Sequence, residues 1–220
     1  MALKKNKLIK FQEKLEKNDY IGEKTAKVTY LLSKKYIGKK VLDAGAGTGA
    51  LIKYIPGAIG MDIAPRSKKI IKGDLTKIPF KENYFDTVFV CDVFEHLSPT
   101  DLKKALSEIK RVLKPNSYLI LSVPFEEDLS KNKICCPKCG EKFHRKLHTR
   151  SFTKRDIVQV FEKFEVISME QIPIGLLAKF RFLMHCRFIA RFISNLARKV
   201  LPITFTRNGH LFAVLQTQKC

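Results

Sequence analysis

The chain has no apolar stretch that is both long and free of charge. Its greasiest region, residues 175–201, is interrupted by Lys179, Arg181, Arg187, Arg191, Arg198 and Lys199. A crossing helix needs about 20 predominantly apolar residues, so no transmembrane segment is expected. The opening run MALKKNKLIKFQEKLEKN lacks an apolar centre and a small-residue cleavage site, which argues against a secretory leader and for a cytoplasmic location. Cysteine is sparse: three of the six cluster at Cys135, Cys136 and Cys139, and Cys91, Cys186 and Cys220 are scattered. In a reducing compartment that pattern fits thiols or a metal site better than a disulfide framework.

Acidic side chains are scarce outside the middle of the chain. The formal net charge is +21, yet residues 41–130 hold 12 basic and 12 acidic side chains, so the flanks carry the whole excess. Basic flanks favour a polyanionic neighbour, either nucleic acid or an anionic membrane surface. Well-solvated lysines on an ordinary surface would leave the same record. With 220 residues, 45% hydrophobic and 29% charged, the chain fits one soluble globular domain with decorations.

The organising stretch is VLDAGAGTG, Val41 to Gly49. A short apolar strand ends in Asp43 and enters a loop with glycine at 45, 47 and 49, ahead of the apolar Ala50, Leu51 and Ile52, read as the start of a helix. Glycines let a ligand lie against the main chain, and a helix N-terminus would offer unpaired N–H groups. In an open parallel sheet the strand's carboxyl end is the ligand side.

The same pattern recurs downstream. AIGMDI, residues 58–63, is a second strand with Asp62 at its end; Ile70 and Ile71 form a third, and only Pro65 to Lys69 separate the two, too few for a crossover helix. GDLTKIPF follows, then the strand FDTVFVC from Phe85 to Cys91 leading into DVFEHL. Ser98 to Leu113 carries an amphipathic stripe of Leu102, Ala105, Leu106, Ile109, Val112 and Leu113. LKPNSYLILSVP turns through Asn116 into a fifth strand. Ser151 to Phe161 reads as a capped helix, Phe164 to Ile172 as a sixth strand and Leu211 to Thr217 as the last. Residues 1–40 read as a helical segment broken near Asn18, Asp19 and Gly22, its second part running from about Glu23 to Lys35.

The loop D-x-G-x-G-x-G differs from the dinucleotide fingerprint G-x-G-x-x-G. It resembles motif I of the class I methyltransferases that use S-adenosylmethionine, and the succeeding acids resemble that family in chain order. The resemblance implies an α/β fold, a Rossmann-like, seven-stranded, mostly parallel sheet with an antiparallel last strand, over residues 41–220. It also implies cofactor contacts. Asp43, Gly45, Gly47 and Gly49 would border the methionine end; Asp62 would accept the ribose hydroxyls; Asp74 would take the adenine amine, with Leu75 against the ring. Asp92 would lie at the carboxyl edge where donor and acceptor meet. Asp74 is equally readable as a turn former. In the family a leading segment packs over this mouth, which would bring Tyr20 near it.

Glu95 and His96 are the candidate catalytic residues. An imidazole titrating near neutrality can serve as a base. Alternatively Asp92, Glu95 and His96 resemble the acid-acid-histidine cation pattern of some quinone-type O-methyltransferases, or Glu95 and His96 simply brace the next helix. Residues 131–150, KNKICCPKCGEKFHRKLHTR, form a basic insert in which Cys136, Cys139, His144 and His148 have the ligand types and number of a structural zinc site, with Cys135 as a spare. Similar C-P-x-C-G inserts occur in the resembling enzymes, where a histidine at the His148 position is often near the acceptor. Residues 175–201 form a basic amphipathic insert, either a lid or an interfacial helix.

The implied function is methyl transfer to a small or lipid-like acceptor, such as a quinone or polyprenyl compound, with peripheral membrane contact. RNA is the second reading, supported by the basic flanks and the knuckle. A non-catalytic partner subunit that keeps the fold is the third.

Overall fold

A computed structural model describes residues 22–136, 139–172 and 209–218. The leading helical segment with Tyr20 and the basic helix read over 175–201 lie outside the described residues. One seven-stranded sheet dominates. Its strands are β1 (Val41–Ala44), β2 (Ile59–Asp62), β3 (Ile70–Lys72), β4 (Phe85–Cys91), β5 (Leu113–Pro124), β8 (Phe164–Ile172) and β9 (His210–Thr217), in the order β3-β2-β1-β4-β5-β9-β8. The first five run parallel, and β9 lies antiparallel between β5 and β8. This is the Rossmann-like arrangement expected, with its reversed last strand.

Side chains alternate across the strands and so build two cores. Leu42, Val88, Val90, Leu119, Leu121, Ala213 and Leu215 point to one face. Val41, Phe89, Ile120, Phe212 and Val214 point to the other. The first face is covered by α2 (Pro99–Val112), through Leu102, Ala105, Ile109 and Val112, and by α3 (Lys154–Val160), through Ile157. The second is covered by α1 (Gly22–Ser33), through Ala26 and Val28.

Both caps on the first face follow from sequence. The Ser98 hydroxyl accepts the Asp101 N–H at 3.1 Å with Pro99 opening the helix, a placement that uses proline's missing donor where none is needed. Thr153 and Asp156 form a reciprocal capping box on α3. Asn116 takes the left-handed conformation, φ 57°, at the turn inside β5, which asparagine tolerates.

The half of the sheet beyond β1 differs from the expected layering. No α-helix follows the glycine loop; the chain makes turns and a single 3-10 turn, Ile52–Tyr54. Pro56 explains this, because a residue before proline is driven out of the helical region, and Ile55 is extended at φ −125° and ψ 87°. Too few residues remain to nucleate a helix. The β2 to β3 connection is also helix-free, as read from its length, so Gly60 pairs with Ile70 across a tight loop. Ile71 is 39% exposed on that outer strand.

The insert after β5 forms a separate hairpin of β6 (Lys133–Cys135) and β7 (Lys142–His144). Phe94, next to Glu95, packs edge-on against Phe161 with ring centroids 5.3 Å apart, and both rings are buried. Phe161→Ala should therefore lower unfolding free energy by about 3–5 kcal/mol, read from urea denaturation. A loss under about 1 kcal/mol would show that this ring pair does not hold the Glu95 turn in place.

Candidate active site

The glycine loop is stitched to the end of β2 rather than to a helix. Gly45 and Ala46 N–H groups both donate to the Met61 carbonyl, at 2.7 and 3.0 Å. Gly47 N–H donates to Asp62 Oδ2 and Ala64 N–H to Asp62 Oδ1, each at 2.8 Å. Asp62 is 9% exposed, and each of its oxygens keeps a second lone pair for a ligand hydroxyl. Gly45 sits at φ +100°, and a Cβ there would stand 2.2 Å from Val93 Cγ2, so only glycine fits. The anion-attracting helix end read after Gly49 is absent, because Ala50 to Ile55 do not form an α-helix.

Asp43 closes β1 beneath this loop and is 4% exposed. Burial, and then the nearby charge of Asp62, raise its pKa from 3.8 to about 7. Asp74 Oδ1 accepts both the N–H and the hydroxyl of Thr76, at 2.9 and 2.8 Å. It is thus a turn former, while Leu75 beside it is buried with Met61 and Ile78. Asp92 takes a left-handed φ of 56°. His210 Nε2 at the start of β9 lies 2.7 Å from Asp92 Oδ1. Burial, followed by the charges of Asp43, Asp92 and Glu95, pushes the Cys91 thiol well up, so these three acids converge on the end of β4.

Glu95 and His96 stand on a 3-10 turn, Phe94–His96. The Glu95 side chain is almost wholly buried, and burial, then Asp92, raise its pKa well above the usual carboxyl range. His96 is lowered to about 4 by burial and by His148. The turn therefore presents a carboxyl whose burial favours its protonated form beside an imidazole that is neutral at pH 7. Thr149 braces it from the insert: its N–H and hydroxyl donate to the Glu95 carbonyl at 2.8 and 3.0 Å. The bracing involves main chain; Glu95 Oε2 and His96 Nδ1 are buried without hydrogen-bond partners.

The insert brings together only two of the four zinc ligands read from sequence. His144 and His148 stack at 4.9 Å, and the carboxylate beside them is Glu127. Among the described residues no group of three or more metal-ligating side chains includes Cys136 or Cys139. Nor does Asp92 join Glu95 and His96 in a cation group; His148 takes that place, and His210 holds Asp92. Glu127 and His210 were missed by sequence reasoning. The acid run Glu126, Glu127, Asp128 directly after β5 was the available signal for the first; nothing local marked the second.

An open sheet with its glycine loop and acids at the carboxyl ends of β1, β2 and β4 defines the nucleotide-type site of the class I methyltransferase fold. Residues 42–121 match the family model described as a methyltransferase domain, and the sheet around them has the class I methyltransferase fold. It is similar to an uncharacterised protein of Methanocaldococcus jannaschii, 35% identical over 127 residues, 54% of this chain and 49% of that one. It is also similar to a tRNA (carboxymethyluridine(34)-5-O)-methyltransferase of Arabidopsis thaliana, at 30% over 46% of this chain and 28% of that one. A third relative is the ubiquinone/menaquinone biosynthesis C-methyltransferase of Burkholderia multivorans, at 35% over 38% and 42%. The chain spans about half the length, or less, of these curated relatives. A solved S-adenosylmethionine-dependent methyltransferase from Archaeoglobus fulgidus shares the fold with a TM-score of 0.61 at 19% identity, over 89% of this chain and 94% of that one.

Asp43 makes the site pH-sensitive. A carboxyl whose folded pKa is raised stabilises the fold fully below its unfolded pKa, near 3.8, and that contribution is lost as pH rises through about 7. Urea titrations at pH 4.5 and pH 8 should show Asp43→Asn gaining on the wild type as pH rises. The gain should be of the order of 4 kcal/mol at most. A gap independent of pH would mean that Asp43 is charged throughout.

Proposed function

We propose that this chain transfers a methyl group from S-adenosylmethionine to a small or lipid-like acceptor. The observation that carries the proposal is the Asp62 carboxylate, which fixes the glycine loop through two backbone N–H groups beside a second buried acid, Asp43. In this reading Asp43 and the main chain at Gly45, Gly47 and Gly49 receive the methionine end, and Asp62 receives the ribose. Asp74 and Leu75 lie at the adenine, and Asp92 lies at the donor–acceptor junction. When bound, the donor supplies a methyl group on a positively charged sulfur that is already electrophilic. A cationic ligand beside Asp43 favours its charged form.

Alignment then accounts for most of the rate, and proton removal is secondary. His96, neutral and weakly basic, accepts a proton only from an acceptor that is itself acidic, such as a phenol-like hydroxyl activated by its ring. Burial favours the protonated form of Glu95, the form that donates a hydrogen bond. The small-acceptor reading draws support from the likeness to the Burkholderia quinone enzyme. RNA is the second reading, favoured by the likeness to the Arabidopsis tRNA enzyme and by the charge of +21. Peripheral membrane contact through residues 175–201 and a cytoplasmic location belong to the first reading.

Calorimetry with the methyl donor and with its demethylated product should give binding heat for the wild type. Asp62→Ala should weaken it by about 100-fold or more, because two charge-assisted hydrogen bonds that shape the loop are lost. A folded wild type giving no heat with either ligand would overturn the enzymatic reading in favour of a non-catalytic subunit. Labelled methyl transfer into cell extract, fractionated into lipid, RNA, protein and small molecules, decides the acceptor class. Label in the RNA fraction alone would replace the small-acceptor reading. Flotation with anionic liposomes should fall sharply on deleting residues 176–201; unchanged flotation would remove the membrane contact.

A further inference from the structure

Away from the glycine loop, metal-binding side chains gather where the insert meets the end of β5. Glu127 lies three residues beyond that strand, His144 closes β7, and His148 follows in the next turn. One donor atom from each of the three lies within 4.8 Å of the others. His144 Nε2 stands 3.7 Å from Glu127 Oε1, a gap that two ligands at about 2.1 Å from a shared ion would span at a near-tetrahedral angle. His148 Nδ1 touches Glu127 Oε2 on the other side.

The decisive feature is His144. It is 6% exposed, and neither ring nitrogen has a hydrogen-bond partner. A buried polar group without a partner calls for a specific cause, and an ion bound to Nε2 supplies one. The cysteines do not compete for the place: Cys135 Sγ turns onto the Gly140 carbonyl at 3.2 Å, and Cys139 is exposed. Behind His148, Glu95 Oε1 faces Nε2 across 4.0 Å.

We propose that Glu127, His144 and His148 hold a zinc-class divalent cation, in place of a cysteine knuckle. Two imidazoles and a carboxylate suit a borderline ion such as Zn(II), and three protein ligands leave one position for water or an acceptor oxygen. The ion clips the β6–β7 hairpin to the end of β5. Through Thr149, which holds the Glu95 carbonyl, it steadies the turn that carries Glu95 and His96. The inference is independent of cofactor binding.

The test is metal content of the full chain, purified under reducing conditions without chelator and reloaded with Zn(II), measured by mass spectrometry and by titration against a zinc-buffering chelator. The wild type should hold close to one zinc. Glu127→Gln and His144→Gln should each bind it at least 100-fold more weakly, while the double variant Cys136→Ser, Cys139→Ser keeps it. Circular dichroism checks that each variant is folded, and calorimetry with the methyl donor should give the same heat for all of them. A wild type that stays free of zinc after reloading overturns the proposal. So does a cysteine double variant that loses zinc while Glu127→Gln retains it.

Discussion

One carboxylate organises the molecule. Asp62 ends β2 and accepts hydrogen bonds from Gly47 and Ala64 with its two oxygens, so the loop leaving β1 is pinned to the loop leaving β2. In related layouts a helix would set the loop's height above the sheet. Here that helix is missing, and the burden falls on Asp62 and on the Met61 carbonyl, which receives the Gly45 and Ala46 N–H groups. A charge-assisted bond to backbone N–H is about twice as strong as a neutral one. The same acid that would receive a ribose also holds the loop that forms the pocket, so binding and loop geometry are not separable at this residue.

The electrostatic consequence runs across the carboxyl ends of three strands. Asp43, Asp62 and Asp92 share a small region with Glu95, and they cannot all be charged there without opposite charge. Asp43 and Glu95 both have raised pKa values, each chiefly through burial. Asp92 has His210 beside it. The site is thus rich in acids, an environment that favours a positively charged ligand.

Much of this was readable from the chain. Alternating apolar runs located the strands, and the capped segments from Ser98 and from Ser151 announced both helices, the second starting three residues later at Lys154, because those signals act over a few residues. The acids at 43, 62 and 92 could be placed because each directly follows or ends an apolar strand. What escaped was of two kinds. The helix after Gly49 was over-read because the apolar run Ala50, Leu51, Ile52 has the right beginning, and the stop at Pro56 was not weighed against it. Glu127 with His148, and Asp92 with His210, are pairs far apart in sequence that meet only because β9 returns antiparallel beside β5 and the insert folds back over the β5 end. Ligand types alone favoured Cys136 and Cys139 as partners for the histidines, while the chain path sets Glu127 beside them.

The bare flank at β3 has a bearing on behaviour in concentrated solution. A sheet that lacks a covering helix ordinarily offers an open ladder of main-chain donors and acceptors to a neighbouring molecule. This one is only three residues long and is flanked by exposed Lys68, Lys69 and Lys72. Two such borders approaching each other would bring like charges together before any ladder could form. Among the described residues, brevity and like charge thus oppose edge-to-edge pairing at β3.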